Sequence, residues 1–140
     1  MRATRRTLVL AVPLALALAG CDVPPEPQRE VPQLTQFAQQ RADPLLRAGI
    51  TRILAWSDRF EQPVQVLTRA GPVYFPYPRG LPLFRFALVV DGARVTVKSD
   101  DYEPRDHERD AAALQRVVDE ALRYAGEHVA GHDQRESTRR

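Results

Sequence analysis

The chain is poor in the residues that usually announce chemistry. It has one cysteine, one lysine and one tryptophan in 140 residues. With Cys21 alone there is no partner for an intrachain disulfide, so even in an oxidising compartment the fold must stand on its core. No glycine-rich phosphate loop is present, since Gly71, Gly80 and Gly92 are isolated turn glycines. Ser57 lacks the Gly-x-Ser-x-Gly frame of a hydrolase elbow. The acidic run Asp100-Asp101-Tyr102-Glu103 lacks the spaced oxygen ligands of a calcium loop and reads as a solvated turn. There is no internal repeat or heptad pattern.

One segment does carry a signal. Met1-Arg-Ala-Thr-Arg-Arg6 is followed by thirteen largely apolar residues, Thr7 to Ala19, with Pro13 in the middle. That run is too short for a spanning helix, which needs about 20 residues. It suits a signal-peptide apolar core, with Arg2, Arg5 and Arg6 as the cytoplasmic positive cap. The stretch ends Leu18-Ala19-Gly20-Cys21, which resembles the lipobox of bacterial lipoproteins. The resemblance implies a diacylglycerol thioether on Cys21 and cleavage just before it. It also implies a lipid-anchored, periplasm-facing protein of the cell envelope. Asp22 follows the cysteine, which in enterobacterial lipoproteins implies retention in the inner membrane.

Removing residues 1–20 takes three basic residues with it and leaves 17 basic against 18 acidic, a formal charge of −1. A near-neutral domain has no summed field to draw in nucleic acid. The expected division is a signal peptide over 1–20, lipidated Cys21 with a proline-rich linker to residue 33, one domain over 34–129, and a disordered polar tail over 130–140. Asp22 to Pro32 holds four prolines and no glycine. As an extended segment at about 3.1 Å per residue it would hold the domain some 30 Å from the bilayer.

The domain reads as α+β, in the order α-α-β-β-β-β-α, with a small antiparallel sheet of two to four strands packed against helices. A first helix carries Leu34, Phe37 and Ala38. Asp43-Pro44 reads as the cap and first residue of a second, whose stripe continues through Leu46, Ile50, Ile53, Leu54 and Phe60. Gly49 weakens that stripe without having to break it. Val64–Leu67 and Val73–Phe75 could form a hairpin around 69–72. Asp91-Gly92 predicts a type I′ turn that sets Val90 against Ala93, Leu88 against Val95 and Phe86 against Val97. The second face would then pair Val89 with Arg94, Ala87 with Thr96 and Arg85 with Lys98. A last helix from about Asp106 to Gly126 carries Leu114, Val117, Val118, Ala121, Leu122 and Ala125 on one stripe. Asp106, Glu108 and Asp110 sit in its acidic first turns, and Asp119 is placed to pair with Arg123.

Catalytic, metal and cofactor residues are not nominated. His128 and His132 are four apart, but without the glutamate of a metalloprotease helix they read as solvated. His107, between Asp106 and Glu108, reads as part of a polar first turn. The most unusual stretch is Gly71–Pro82, with four prolines and three aromatics in twelve residues. Its prolines predict an edge or a rigid loop. Tyr74, Phe75 and Tyr77 cannot all point inward, so at least one is expected at the surface as a protein contact. The function expected is a non-enzymatic lipoprotein that binds another envelope protein. A periplasmic inhibitor or immunity lipoprotein is the alternative, and a small hydrolase or ligand-binding protein the third.

Overall fold

The computed structural model describes residues 26–55 and 63–139, with side chains as far as His128. The signal stretch, Cys21, Asp22, Ser57, Phe60 and the side chain of His132 lie outside the described residues. The element order is α1 (Pro32–Gln39), α2 (Ala42–Arg47), β1 (Ile50–Ala55), β2 (Val64–Thr68), β3 (Gly71–Phe75), β4 (Phe86–Asp91), β5 (Arg94–Lys98), a 3-10 turn (Pro104–Asp106) and α3 (His107–Arg139). The five strands form one antiparallel sheet in the order β3-β2-β1-β4-β5, so the fold is α+β.

The second helix is shorter than its apolar stripe suggests. It ends at Arg47, and Ile50–Ala55 is the central strand of the sheet. Gly49 adopts φ +74° and its amide donates to the Leu46 carbonyl, a left-handed helix stop that glycine takes at least cost. The pairing of β1 with β2 is irregular between Ile50 and Arg52, leaving Thr51 as an extra residue. This bulge lets Ile50 and Ile53 both reach the core, at 1% and 0% exposure, although they are three residues apart. Asp43 is also not the cap of α2, because Arg41 holds that position without a side-chain hydrogen bond.

The hairpin of β4 and β5 is present, with a different register from the one expected. Asp91 pairs with Arg94, Val90 with Val95, Leu88 with Val97 and Ala87 with Lys98. The loop is therefore Gly92-Ala93. Gly92 has φ +60° and no other residue of the turn has a positive φ, which fits a type II′ turn better than type I′. The shift moves partners by two positions along one strand, so each side chain keeps its face. Burial of Leu88, Val90, Val95 and Val97 is equally served by both registers, and the turn decides between them.

β2 and β3 do form a hairpin, closed tightly by Thr68 against Gly71. Pro72 lies in β3, which is an edge strand. The closing pair of a two-residue hairpin is hydrogen-bonded, so by alternation the Pro72 nitrogen faces outward. Proline there removes an amide that an intruding strand could use.

One hydrophobic cluster holds the domain together. It joins Leu34 and Leu45 of the short helices to Ile53, Val66, Leu88 and Val97 of the sheet and to Leu114, Val117 and Ala121 of α3. Leu54 and Ala87, which point to the other side of the sheet, are not in it. The helices thus cover one face, and among the described residues no helix covers the other. That face, open in the sense that no helix lies on it, carries Arg52, Val89, Lys98 and the exposed Tyr74, while Leu54 and Ala87 on the same face are buried at 7% and 0% exposure.

Two end regions differ from expectation. Residues 26–33 are not a free linker. Val31 is 2% exposed, the backbone of Glu30 forms an isolated antiparallel β-bridge with that of Lys98, and Ser99 donates its amide to the Arg29 carbonyl at 2.8 Å. At the other end, the backbone of 130–139 continues α3 rather than forming a disordered tail. The stretch has no proline, and Gly131 costs a helix only about 1 kcal/mol. The predicted pair of Asp119 with Arg123 is absent: Asp119 meets Arg41 at 2.7 Å, and Arg123 meets Glu120 at 2.7 Å.

Candidate functional site

The Gly71–Pro82 loop separates its three aromatics. Tyr74 is 54% exposed on the open face, where its hydroxyl accepts from Gln65 Nε2 at 3.3 Å. Phe75 is buried and stacks on Tyr124 of α3, with ring centroids 5.1 Å apart. Arg123 covers the Tyr124 ring at 4.4 Å. Tyr77 is also buried, and its hydroxyl donates to the Pro82 carbonyl at 2.7 Å and accepts the Phe84 amide at 3.1 Å. Tyr77 therefore closes its own loop. Of the three proposed contact residues, only Tyr74 presents its ring to solvent.

The second concentration of polar groups lies where α3 begins. Asp110 is 2% exposed, on the same helical face as Leu114 and Val117. Burial raises its pKa above the ordinary carboxylate value. Asp106 adds to the rise, while Arg109, whose Nε lies 3.4 Å from the carboxylate, and His107 oppose it. Tyr102 is buried beside this acid and shares a 2.8 Å hydrogen bond with His107 Nδ1. Burial and the Asp110 charge both raise the pKa of Tyr102, burial more. The same two causes raise that of Tyr77, against the lowering effect of the Phe84 amide. Asp110, Tyr77 and Tyr102 are all buried, at 2%, 5% and 6% exposure. Helical spacing held the clue to Asp110, which falls on the apolar stripe four residues before Leu114.

The acidic run after the hairpin binds the protein's own leader. Asp100 accepts the amides of Arg29 at 3.0 Å and Gln28 at 3.3 Å. Asp101 takes a two-pronged ion pair from Arg85 at 2.6 and 2.7 Å. Arg29 returns hydrogen bonds to the carbonyls of Ser99 and Tyr102. Glu26 pairs with Arg52 of β1 at 2.7 Å. These residues form a clamp, not the free solvated turn that the sequence suggests. His128, expected to be solvated, meets the Ala70 carbonyl at 3.1 Å and ties α3 to the β2–β3 turn.

Among the described residues no group of three His, Cys, Asp or Glu side chains could hold a metal ion. No helix among them is long and apolar enough to cross a membrane. No protein-family model, curated protein or solved structure matches this chain.

Proposed function

We propose that this chain is a bacterial envelope lipoprotein, anchored through Cys21, whose domain acts by binding another envelope protein. The observation that carries this reading is the N-terminal sequence. A cationic start, a short apolar run and Leu18-Ala19-Gly20-Cys21 precede the sole thiol of the chain. Thioether-linked acyl chains supply the anchor: one chain holds weakly, at about 0.8 kcal/mol per buried methylene, and two or more hold stably.

Binding rather than catalysis is supported by how the polar side chains are used. Tyr77, Asp100, Asp101 and His128 each brace a backbone segment or an ion pair of the fold. Among the described residues the exposed large hydrophobics are Leu46 of α2, at 47%, and Tyr74 of β3, at 54%. They lie on opposite layers, so the domain offers an apolar contact on each side.

Metabolic labelling with a fatty-acid analogue tests the anchor. The parent should take up label and enter the detergent phase, and Cys21→Ser should do neither. Equal labelling of the two would overturn the reading.

A further inference from the structure

We infer that the open face of the sheet is apposed to the phospholipid headgroups of the membrane that holds the anchor. The inference rests on the proposed lipidation of Cys21 and is independent of any protein partner.

The argument starts from where the leader is fixed. Arg29 and Gln28 are held by Asp100 at the β5 edge, and Glu26 then reaches Arg52 of β1, two strands further in. Arg52 aligns with Val89 across the β1–β4 pair, on the face that the helices leave open. The leader therefore turns from the sheet edge onto that face, and Pro27, next to Glu26, is buried. Only residues 22–25 lie between Glu26 and Cys21. Five Cα–Cα steps at full extension reach about 17 Å. The 30 Å stand-off of a free linker is thus lost. If the helix layer faced the bilayer instead, these four residues would have to pass round the sheet edge and across a helix about 10 Å thick. They are too few.

The chemistry of the face fits this position. Tyr74 is an exposed amphipathic ring of the kind favoured at headgroup level. Arg94 and Lys98 lie on the same face and make no ion pair among the described residues, while Arg52 and Arg85 are taken by Glu26 and Asp101. Asp91 stands across from Arg94, so the face is electrically mixed. Tether geometry, not net charge, sets the orientation. Leu46, on the helix layer, is left for a protein partner.

Lys98 is the only lysine of the chain and sits on this face, which makes it a native reporter. The lipidated protein is reconstituted into phosphatidylcholine–phosphatidylglycerol vesicles, its flotation is checked, and the rate of Lys98 acylation by an amine-reactive ester is measured. Cys21→Ser with the same vesicles gives the reference rate. Lys98 of the lipidated chain should react several-fold more slowly. A long Gly-Ser insert between Pro25 and Glu26 should restore the reference rate while the protein still floats. A protein that floats yet reacts at the reference rate overturns the orientation and leaves the anchor standing. Slowing that survives the insert also overturns the orientation. A protein that does not float overturns the anchor and the orientation together.

Discussion

The amide of Val97 donates to the hydroxyl of Thr35 at 2.9 Å, so a helix side chain occupies the place of a neighbouring strand. One turn later Gln39 repeats the arrangement: its Oε1 accepts from the Val95 amide at 2.9 Å and its Nε2 donates to the Ala93 carbonyl at 2.6 Å. With the Val31 amide donating to the Val97 carbonyl, the β5 edge is closed by α1 and the leader. At the opposite edge, Pro72 leaves an outward position without a donor. The domain protects its two sheet edges by different means, which limits edge-to-edge association.

Thr35→Val should therefore do more than delete a hydroxyl. An amide left without a partner costs about 1–3 kcal/mol. Urea denaturation should show a loss in that range, and hydrogen exchange at Val97 should accelerate. Unchanged exchange at Val97 would show that the hydroxyl is not what closes the edge.

Tyr74 and Tyr77 should separate cleanly. Tyr77→Phe removes the acceptor of the Phe84 amide and the donor to Pro82, and should destabilise by about 1–3 kcal/mol. Tyr74→Ala, at an exposed position, should change stability by less than about 0.5 kcal/mol. Equal losses by thermal denaturation would contradict the assignment of one tyrosine to the interior and the other to the surface.

Asp110 predicts a pH dependence with a definite sign. Its folded pKa is raised, so the folded state favours the protonated acid. That stabilisation is complete below the unfolded value of about 4 and is lost as pH rises through the raised folded value. As pH rises above about 4 the parent should lose Tm relative to Asp110→Asn, until the folded acid is fully ionised. A parent–variant difference independent of pH would contradict a buried, desolvated carboxyl.

The clamp on the leader should be separable from the core. Asp100→Asn weakens two hydrogen bonds to the amides of residues 28 and 29. Proteolysis should then cut the leader faster, while global unfolding shifts by no more than about 1 kcal/mol. Protection equal to the parent's would place the clamp elsewhere.

The sequence reveals the parts of the fold in which one periodicity dominates. Leu114, Val117, Val118 and Ala121 repeat at helical spacing and are all buried in α3. The alternation on either side of Asp91-Gly92 marks the hairpin and both of its faces. β1 is misread for a definite reason. Its bulge at Thr51 puts Ile50 and Ile53 on one face with the three-residue spacing of a helix. A bulged strand and a short amphipathic helix then share a pattern, and the φ of Gly49 separates them. Asp100 and Asp101 are misread as a solvated turn because their partners, Arg29 and Arg85, are brought to them only by the fold. Of the aromatic loop, the sequence yields the edge position and the need for one ring at the surface. Which ring that is depends on the register of β3 against β2.

The central claim is that Cys21 carries the lipid that holds this domain to a membrane, and the mass of the native protein tests it most directly. The account predicts that the protein extracted from membranes begins at Cys21 and carries the added mass of a diacylglycerol thioether on that residue, confined to its N-terminal peptide. An intact mass equal to that of the unmodified polypeptide, or a chain that still begins at Met1, would contradict it.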